Sequence, residues 1–166
     1  MNNLRRYFNE QEIENLKILD MYSKSEIIVN RIFKEVKDKG NNPYLDHLYY
    51  VSNNLDNENM KIVGLLHDLL EDTEITELDL IEIGFTKDII EALLLVTRKE
   101  ESYAEFIDKI ISSNNKIALY VKKVDLENNM DLSRIKNPTV KDYERVENKY
   151  KPNYQKILNK IKEMER

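Results

Sequence analysis

An all-α fold is predicted by three features of this 166-residue chain. Apolar side chains recur at three- and four-residue spacing through most of its length, the pattern of one-sided helices. Strand-type alternation is nowhere sustained. Only three glycines and three prolines are present, so long helices are easier to build than a series of tight hairpins. A content of 41% hydrophobic and 34% charged residues marks an ordered globular chain, and one domain of this length, 1–166, can bury its own core.

The elements follow in order. From about Glu10 to Lys37, Ile13, Leu16, Leu19, Ile27, Ile28, Ile32 and Phe33 fall at helical spacing. Ser23 or Ser25 is the expected point where this stretch breaks or is recapped. Lys39-Gly40-Asn41-Asn42-Pro43 reads as a loop, with Pro43 suited to the first turn of a helix from about Tyr44 to Leu55. The next helix, about Asn57 to Leu70, is apolar on most of its circumference (Ile62, Val63, Leu65, Leu66, Leu69, Leu70) and should be the central buried one. Thr76-Glu77-Leu78-Asp79-Leu80 reads as a short capped helix closed by Gly84. Thr86 is placed to cap a helix to about Val96, and Ser102 another to about Ile111. Asn115 to Leu132 is helical by period, and Asn137-Pro138 starts a final helix that Pro152 interrupts near its end. No internal repeat, low-complexity tract or linker divides the chain.

A net charge of −5 argues against a nucleic-acid partner, because no broad basic face is implied. It leaves room for a small anionic partner, since a bound cation and a few local basic residues invert the field of a site. Cysteine is absent, which removes disulfides and thiol chemistry and suits a reducing compartment. The N-terminus lacks the apolar core of a signal peptide, and the best apolar run, Ile89 to Val96, is too short to span a bilayer. These features predict a cytoplasmic protein with no membrane partner.

Only two histidines occur in the chain. His67 opens His67-Asp68-Leu69-Leu70-Glu71-Asp72-Thr73 at the end of the predicted central helix. Residues four apart share a helix face, so His67 stacks with Glu71 and Asp68 with Asp72. Four ionisable groups there would be costly to bury unpaired, and acidic residues are disfavoured at a helix C-terminus. A divalent cation resolves both problems, with His67 and Asp68 as ligands and Glu71 and Asp72 reaching the water beside it. Such a cation lowers the pKa of its water toward neutrality, and a nearby carboxylate can take the proton. The alternative is a solvated helix end running into a loop. His47, taken alone, reads as a hydrogen-bonded core histidine or as a further ligand. Asp125, taken alone, reads as a surface carboxylate.

Three segments carry a family resemblance. Tyr44-Leu45-Asp46-His47, the His67–Thr73 run and Val124-Asp125-Leu126-Glu127-Asn128-Asn129-Met130 resemble the HD-domain phosphohydrolases. The nearest likeness is to the hydrolase half of RelA/SpoT-type alarmone enzymes and to small stand-alone HD proteins. Lys39-Gly40, Pro43-Tyr44, Val96-Thr97-Arg98, Glu101-Ser102-Tyr103 and Asp131-Leu132-Ser133-Arg134 extend it, so that it covers roughly residues 25 to 150. The resemblance implies an HD-domain helical bundle with helical extensions at both ends, holding one divalent metal. His47, His67, Asp68 and Asp125 are implied as its ligands. Two His and two Asp suit Mn²⁺, Fe²⁺ or Zn²⁺ better than Ca²⁺, with Mn²⁺ foremost. Glu71 and Asp72 resemble the pair that positions and activates water, and Asn129 a substrate-contacting asparagine.

The expected activity is metal-dependent phosphohydrolysis of a nucleotide or related phosphorylated metabolite. In the bifunctional enzymes it is removal of the 3′-pyrophosphate from guanosine tetra- or pentaphosphate. The other readings are a nucleoside monophosphate phosphatase and a non-catalytic nucleotide-binding module. Lys39, Arg98, Lys99, Lys122 and Lys123 are the basic residues able to meet phosphate, with Arg98 foremost because arginine binds phosphate bidentately. Two departures from the bifunctional pattern stand out. Asp38-Lys39-Gly40-Asn41-Asn42 replaces an arginine- and serine-bearing loop, and Asp131-Leu132 replaces an Arg-Thr pair, placing an acid near the expected substrate site.

Overall fold

A computed structural model describes residues 2–166, and Met1, where the N-terminal segment begins, lies outside them. Helix makes up 72% of the chain, so the all-α expectation holds. The one strand-like pairing among the described residues is an isolated bridge between Lys37 and Pro43. The helices are α1 (Glu10–Ile18), α2 (Met21–Phe33), α3 (Tyr44–Asn53), α4 (Glu58–Leu66), α5 (Leu69–Asp72) and α6 (Glu77–Glu82). They continue as α7 (Lys87–Val96), α8 (Tyr103–Ser113), α9 (Lys116–Met130), α10 (Val140–Arg145) and α11 (Lys151–Met164). No helix among the described residues is long and apolar enough to cross a membrane.

The central position of α4 follows from its apolar circumference. Ile62, Val63, Leu65 and Leu66 are fully buried, and α2, α3, α7 and α9 pack around them. Cutting one of these leucines back to alanine removes contacts and leaves a void, at a cost of about 2–5 kcal/mol. Gly64 sets how closely α3 approaches. A Cβ at that position would meet Ser52 Cα, Ser52 N and Leu55 Cδ1, each at 3.1 Å. The close approach draws the histidine of α3 toward the end of α4. Across the core, α9 buries Leu119, Val121, Val124 and Leu126 and touches α3, α4, α7, α8 and α11. Ahead of α1, a 3₁₀ turn at Asn3–Arg6 tucks Leu4 into the core, and the Asn3 N–H ties it to Asp79 Oδ1 of α6 at 3.0 Å.

Three expected boundaries are corrected by the structure. The first long stretch breaks at Leu19-Asp20, because Asp20 Oδ1 accepts the Ser23 N–H at 2.9 Å and caps α2. Ser23 and Ser25 therefore lie inside α2, which ends at Phe33 rather than near Lys37. The central helix does not run unbroken to Leu70. It ends at Leu66, His67 and Asp68 form a turn, and α5 restarts at Leu69. His67 Nδ1–H donates to the Gly64 carbonyl at 2.7 Å, taking the acceptor that the Asp68 N–H would use in a regular helix. Pro152 does not interrupt the last helix either. Thr139 caps α10, and a π-helical turn over Val146–Tyr150 leads directly into α11. Pro152 falls in the first turn of α11, where a missing N–H is tolerated, and the helix runs on to Met164.

Candidate metal centre

Three helices deliver the site. His47 sits on the first turns of α3, His67 and Asp68 at the turn that ends α4, and Asp125 in the middle of α9. His47, His67 and Asp125 are buried and Asp68 is partly so. His47 Nε2 and His67 Nε2 lie 3.2 Å apart. Asp68 Oδ2 stands 3.8 Å from the first and 3.2 Å from the second. Asp125 Oδ1 stands 3.2 Å and 3.5 Å from the same two atoms. His47, His67 and Asp68 form a group able to hold a metal ion, and Asp125 closes on it through both imidazoles.

The hydrogen bonds behind the histidines decide which nitrogen faces inward. The Gly64 carbonyl can only accept, so His67 Nδ1 carries a proton and donates to it. His47 Nδ1 donates to Asn128 Oδ1 at 2.7 Å. In the neutral imidazoles both Nε2 atoms then present lone pairs to one another and to two carboxylates. Four such atoms repel unless a cation or a proton lies among them. Ligand atoms bound to one ion at about 2.1 Å stand about 3.0–3.4 Å apart in octahedral or tetrahedral arrays, close to the spacings here. The donor set therefore fits a divalent cation, with the outer hydrogen bonds fixing ring orientation as metal histidines require.

Without an ion, the charges shift one another strongly. Burial works against protonating His67, but the Asp68 and Asp125 carboxylates outweigh it and hold its pKa well above the ordinary value. Burial would raise Asp125, yet the Lys122 ammonium and the two histidines hold it well below the usual carboxylate range. Asp68 is lowered in the same way, burial being outweighed by His67. Tyr44 donates its hydroxyl to Asp68 Oδ2 at 2.5 Å, and burial followed by the Asp68 charge keeps that phenol protonated far into the alkaline range. A bound divalent cation would compete with the second His67 proton for the same lone pairs.

The centre forms the floor of a cavity of about 210 Å³ lined also by Glu71, Arg98, Tyr103, Lys122, Asn129 and Lys149. An adjoining lobe of about 310 Å³ shares Tyr44, His47, Asn129 and Tyr150 with it and includes Lys39, Arg134 and Arg145. Glu71 faces the cavity, and its Oε2 accepts the Arg98 backbone N–H at 3.2 Å. Asp72 is exposed and not among the lining residues. Partial burial, then the charges of Asp68 and Glu71, raise its carboxyl to about 6.

Asn129 Nδ2 donates to Asp125 Oδ1 at 2.9 Å, which braces the carboxylate. Lys122 pairs with Asp125 Oδ2 at 2.7 Å while still lining the cavity. Arg98 lines the cavity and Lys39 its outer lobe, whereas Lys123 is taken up by Glu127 at 2.7 Å. Lys99 is exposed and uses its backbone N–H on Glu101. Asp131, the acid expected near substrate, caps the 3₁₀ turn Leu132–Arg134, with Oδ1 accepting from Ser133; Leu132 and Arg134 line the outer lobe, and Asp131 itself does not.

Tyr44, Asn128, Tyr103 and Lys149 also stand at the site, with no role for them apparent from the sequence alone. Asn128 had a signal: it lies three residues after Asp125 and so shares its face of α9. Lys149 had none, because its place over the centre depends on the π-helical turn. No family model matches the chain, and no curated protein matches it.

Proposed function

We propose that this chain is a metal-dependent phosphohydrolase acting on a nucleotide or a related small phosphorylated metabolite. The observation that carries the reading is the pairing of two opposed features in one cavity. Imidazole lone pairs and carboxylates converge on the floor, and Arg98, Lys122 and Lys149 occupy the wall. The resemblance to HD-domain phosphohydrolases supports the same reading. His47, His67, Asp68 and Asp125 are the residues that would hold the ion, and Mn²⁺ is our assignment ahead of Fe²⁺ and Zn²⁺.

When bound, a divalent cation there supplies Lewis acidity and a water of lowered pKa. The protein supplies the rest. Tyr44 and Lys122 fix the orientation of Asp68 and Asp125 by a hydrogen bond and an ion pair. Glu71, which lines the cavity, is the carboxylate we assign to take the proton of the attacking water, with Asp72 next to it in the chain. The water oxygen forms the new bond to phosphorus, the bond to the leaving oxygen breaks, and basic side chains offset the charge that develops.

Purified protein with Mn²⁺ should be assayed against guanosine tetraphosphate, nucleoside mono-, di- and triphosphates, and a generic phosphate ester. Turnover of at least one, abolished in Asp68→Ala, is expected. Bound metal with no turnover of any would favour a nucleotide-binding module instead.

A further inference from the structure

Three cations crowd one neutral ring above the metal centre. Lys149 Nζ lies 4.3 Å from the centroid of Tyr103, Lys122 Nζ 5.5 Å and the Arg98 guanidinium carbon 5.9 Å. They come from separate places in the chain: the segment after α7, the middle of α9 and the π-helical turn before α11. A ring face attracts a cation but does not neutralise it, so the cluster keeps its charge. Lys122 alone has a carboxylate, Asp125. Arg98 spends its Nε on the Glu101 carbonyl at 3.2 Å, leaving its terminal nitrogens for other partners. Among the described residues no carboxylate lies within ion-pair distance of Lys149; its neighbours are the rings of Tyr103 and Tyr150 and the charges of Arg98, Arg145, Lys122 and Lys39.

Gathering like charges in a half-buried wall is unfavourable on its own, and an anion relieves it. The side chains that would meet that anion line the same cavity as His67, Asp68 and Asp125. The π-helical turn is what brings Lys149 and Tyr150 to this wall together, and such turns are frequent at functional sites.

We infer that Lys149 and Arg98, organised on the ring of Tyr103, form a binding site for a phosphate-class oxyanion facing the metal centre. The inference deepens the proposed function by assigning the residues that hold the phosphoryl group, but the cation cluster is present whether or not an ion is bound below it. Arg98 offers a planar fork to two oxygens, and Lys149 a mobile point charge to a third. Tyr103 acts as a positioning residue through its ring.

The test is titration of the full-length chain with inorganic phosphate and tripolyphosphate, metal-free and with Mn²⁺, with acetate as the control anion. Lys149→Met should weaken binding of both phosphates by about tenfold or more, and Lys149→Arg should restore most of it. Tyr103→Phe should stay within about threefold of the unmodified chain, while Tyr103→Leu should lose binding as Lys149→Met does. Helical circular dichroism and Mn²⁺ affinity should be unchanged in Lys149→Met, which separates a lost contact from a lost fold. Equal phosphate affinity in the unmodified chain and Lys149→Met, or acetate binding as tightly as phosphate, would overturn the inference. Failure of the unmodified chain to bind Mn²⁺ would contradict the proposed function alone, because the metal-free phosphate titration still decides this site.

Discussion

The floor and the wall of the cavity are built on opposite plans. On the floor, His47, His67, Asp68 and Asp125 come from α3, the turn that ends α4, and α9, helices that pack against one another in the core. Each is held from behind by Asn128, the Gly64 carbonyl, Tyr44, or Lys122 and Asn129. On the wall, Arg98 and Lys149 come from a loop and a π-helical turn and rest mainly against aromatic faces. The floor is a set of donors braced by hydrogen bonds and suited to a cation. The wall is a set of cations suited to an anion. A phosphate ester bound through a metal is a ligand that completes both.

That contrast can be broken from either side. The largest effect is expected from Asp125→Asn, which weakens the floor and frees Lys122 at once. Mn²⁺ affinity should fall by more than about 100-fold in calorimetric titration. Phosphate should bind the metal-free variant more tightly than it binds the unmodified chain, because Lys122, already on the wall, no longer spends its charge on Asp125. Equal phosphate affinity would mean that Lys122 does not meet the anion.

Asp72→Asn asks whether a residue outside the cavity lining contributes to the chemistry. Turnover with Mn²⁺ should drop by about 10²–10⁴-fold with metal affinity retained. The sign of the pH dependence follows from its raised carboxyl. The deprotonated form grows as pH rises, so kcat/KM should climb with pH and then level off, at a point below about 6 once a bound cation offsets the Asp68 charge. Asp72→Asn should lack this limb. A limb that persists in the variant would assign it to another group.

Smaller effects probe what stands behind the floor. Asn128→Ala leaves His47 without its acceptor and should cost about 10–100-fold in Mn²⁺ affinity with the wall unaffected. Gly64→Ala forces α3 and α4 apart at the point where they touch Ser52 and Leu55. It should destabilise the chain by about 1–3 kcal/mol in urea unfolding and loosen metal binding only modestly.

The same division governs what could be read from sequence. Apolar periodicity located the central helix, since burial of a helix face is a local property of the chain, but not which helices pack on it. Local competition was harder. Ser23 and Ser25 were the expected break points, but Asp20, which the pattern did not single out, caps α2 by accepting the Ser23 N–H. The break at His67-Asp68 depends on a side chain taking a backbone acceptor, which spacing does not reveal. On the site, the scarcity of histidine singled out His47 and His67, and resemblance supplied Asp125. The lysines were legible as charges but not as partners. Lys122 turned inward to Asp125, Lys123 paired with Glu127, and Lys149 reached the cavity through a turn type that no composition rule signals.

In the proposed centre, two Nε2 atoms and two carboxylates form one cation site. Metal analysis of the chain reconstituted with Mn²⁺, alongside His67→Ala of matched helicity, tests it most directly. One tightly bound ion per unmodified chain and none in His67→Ala is the predicted result. Equal metal content in the two proteins, or none in either, would contradict it.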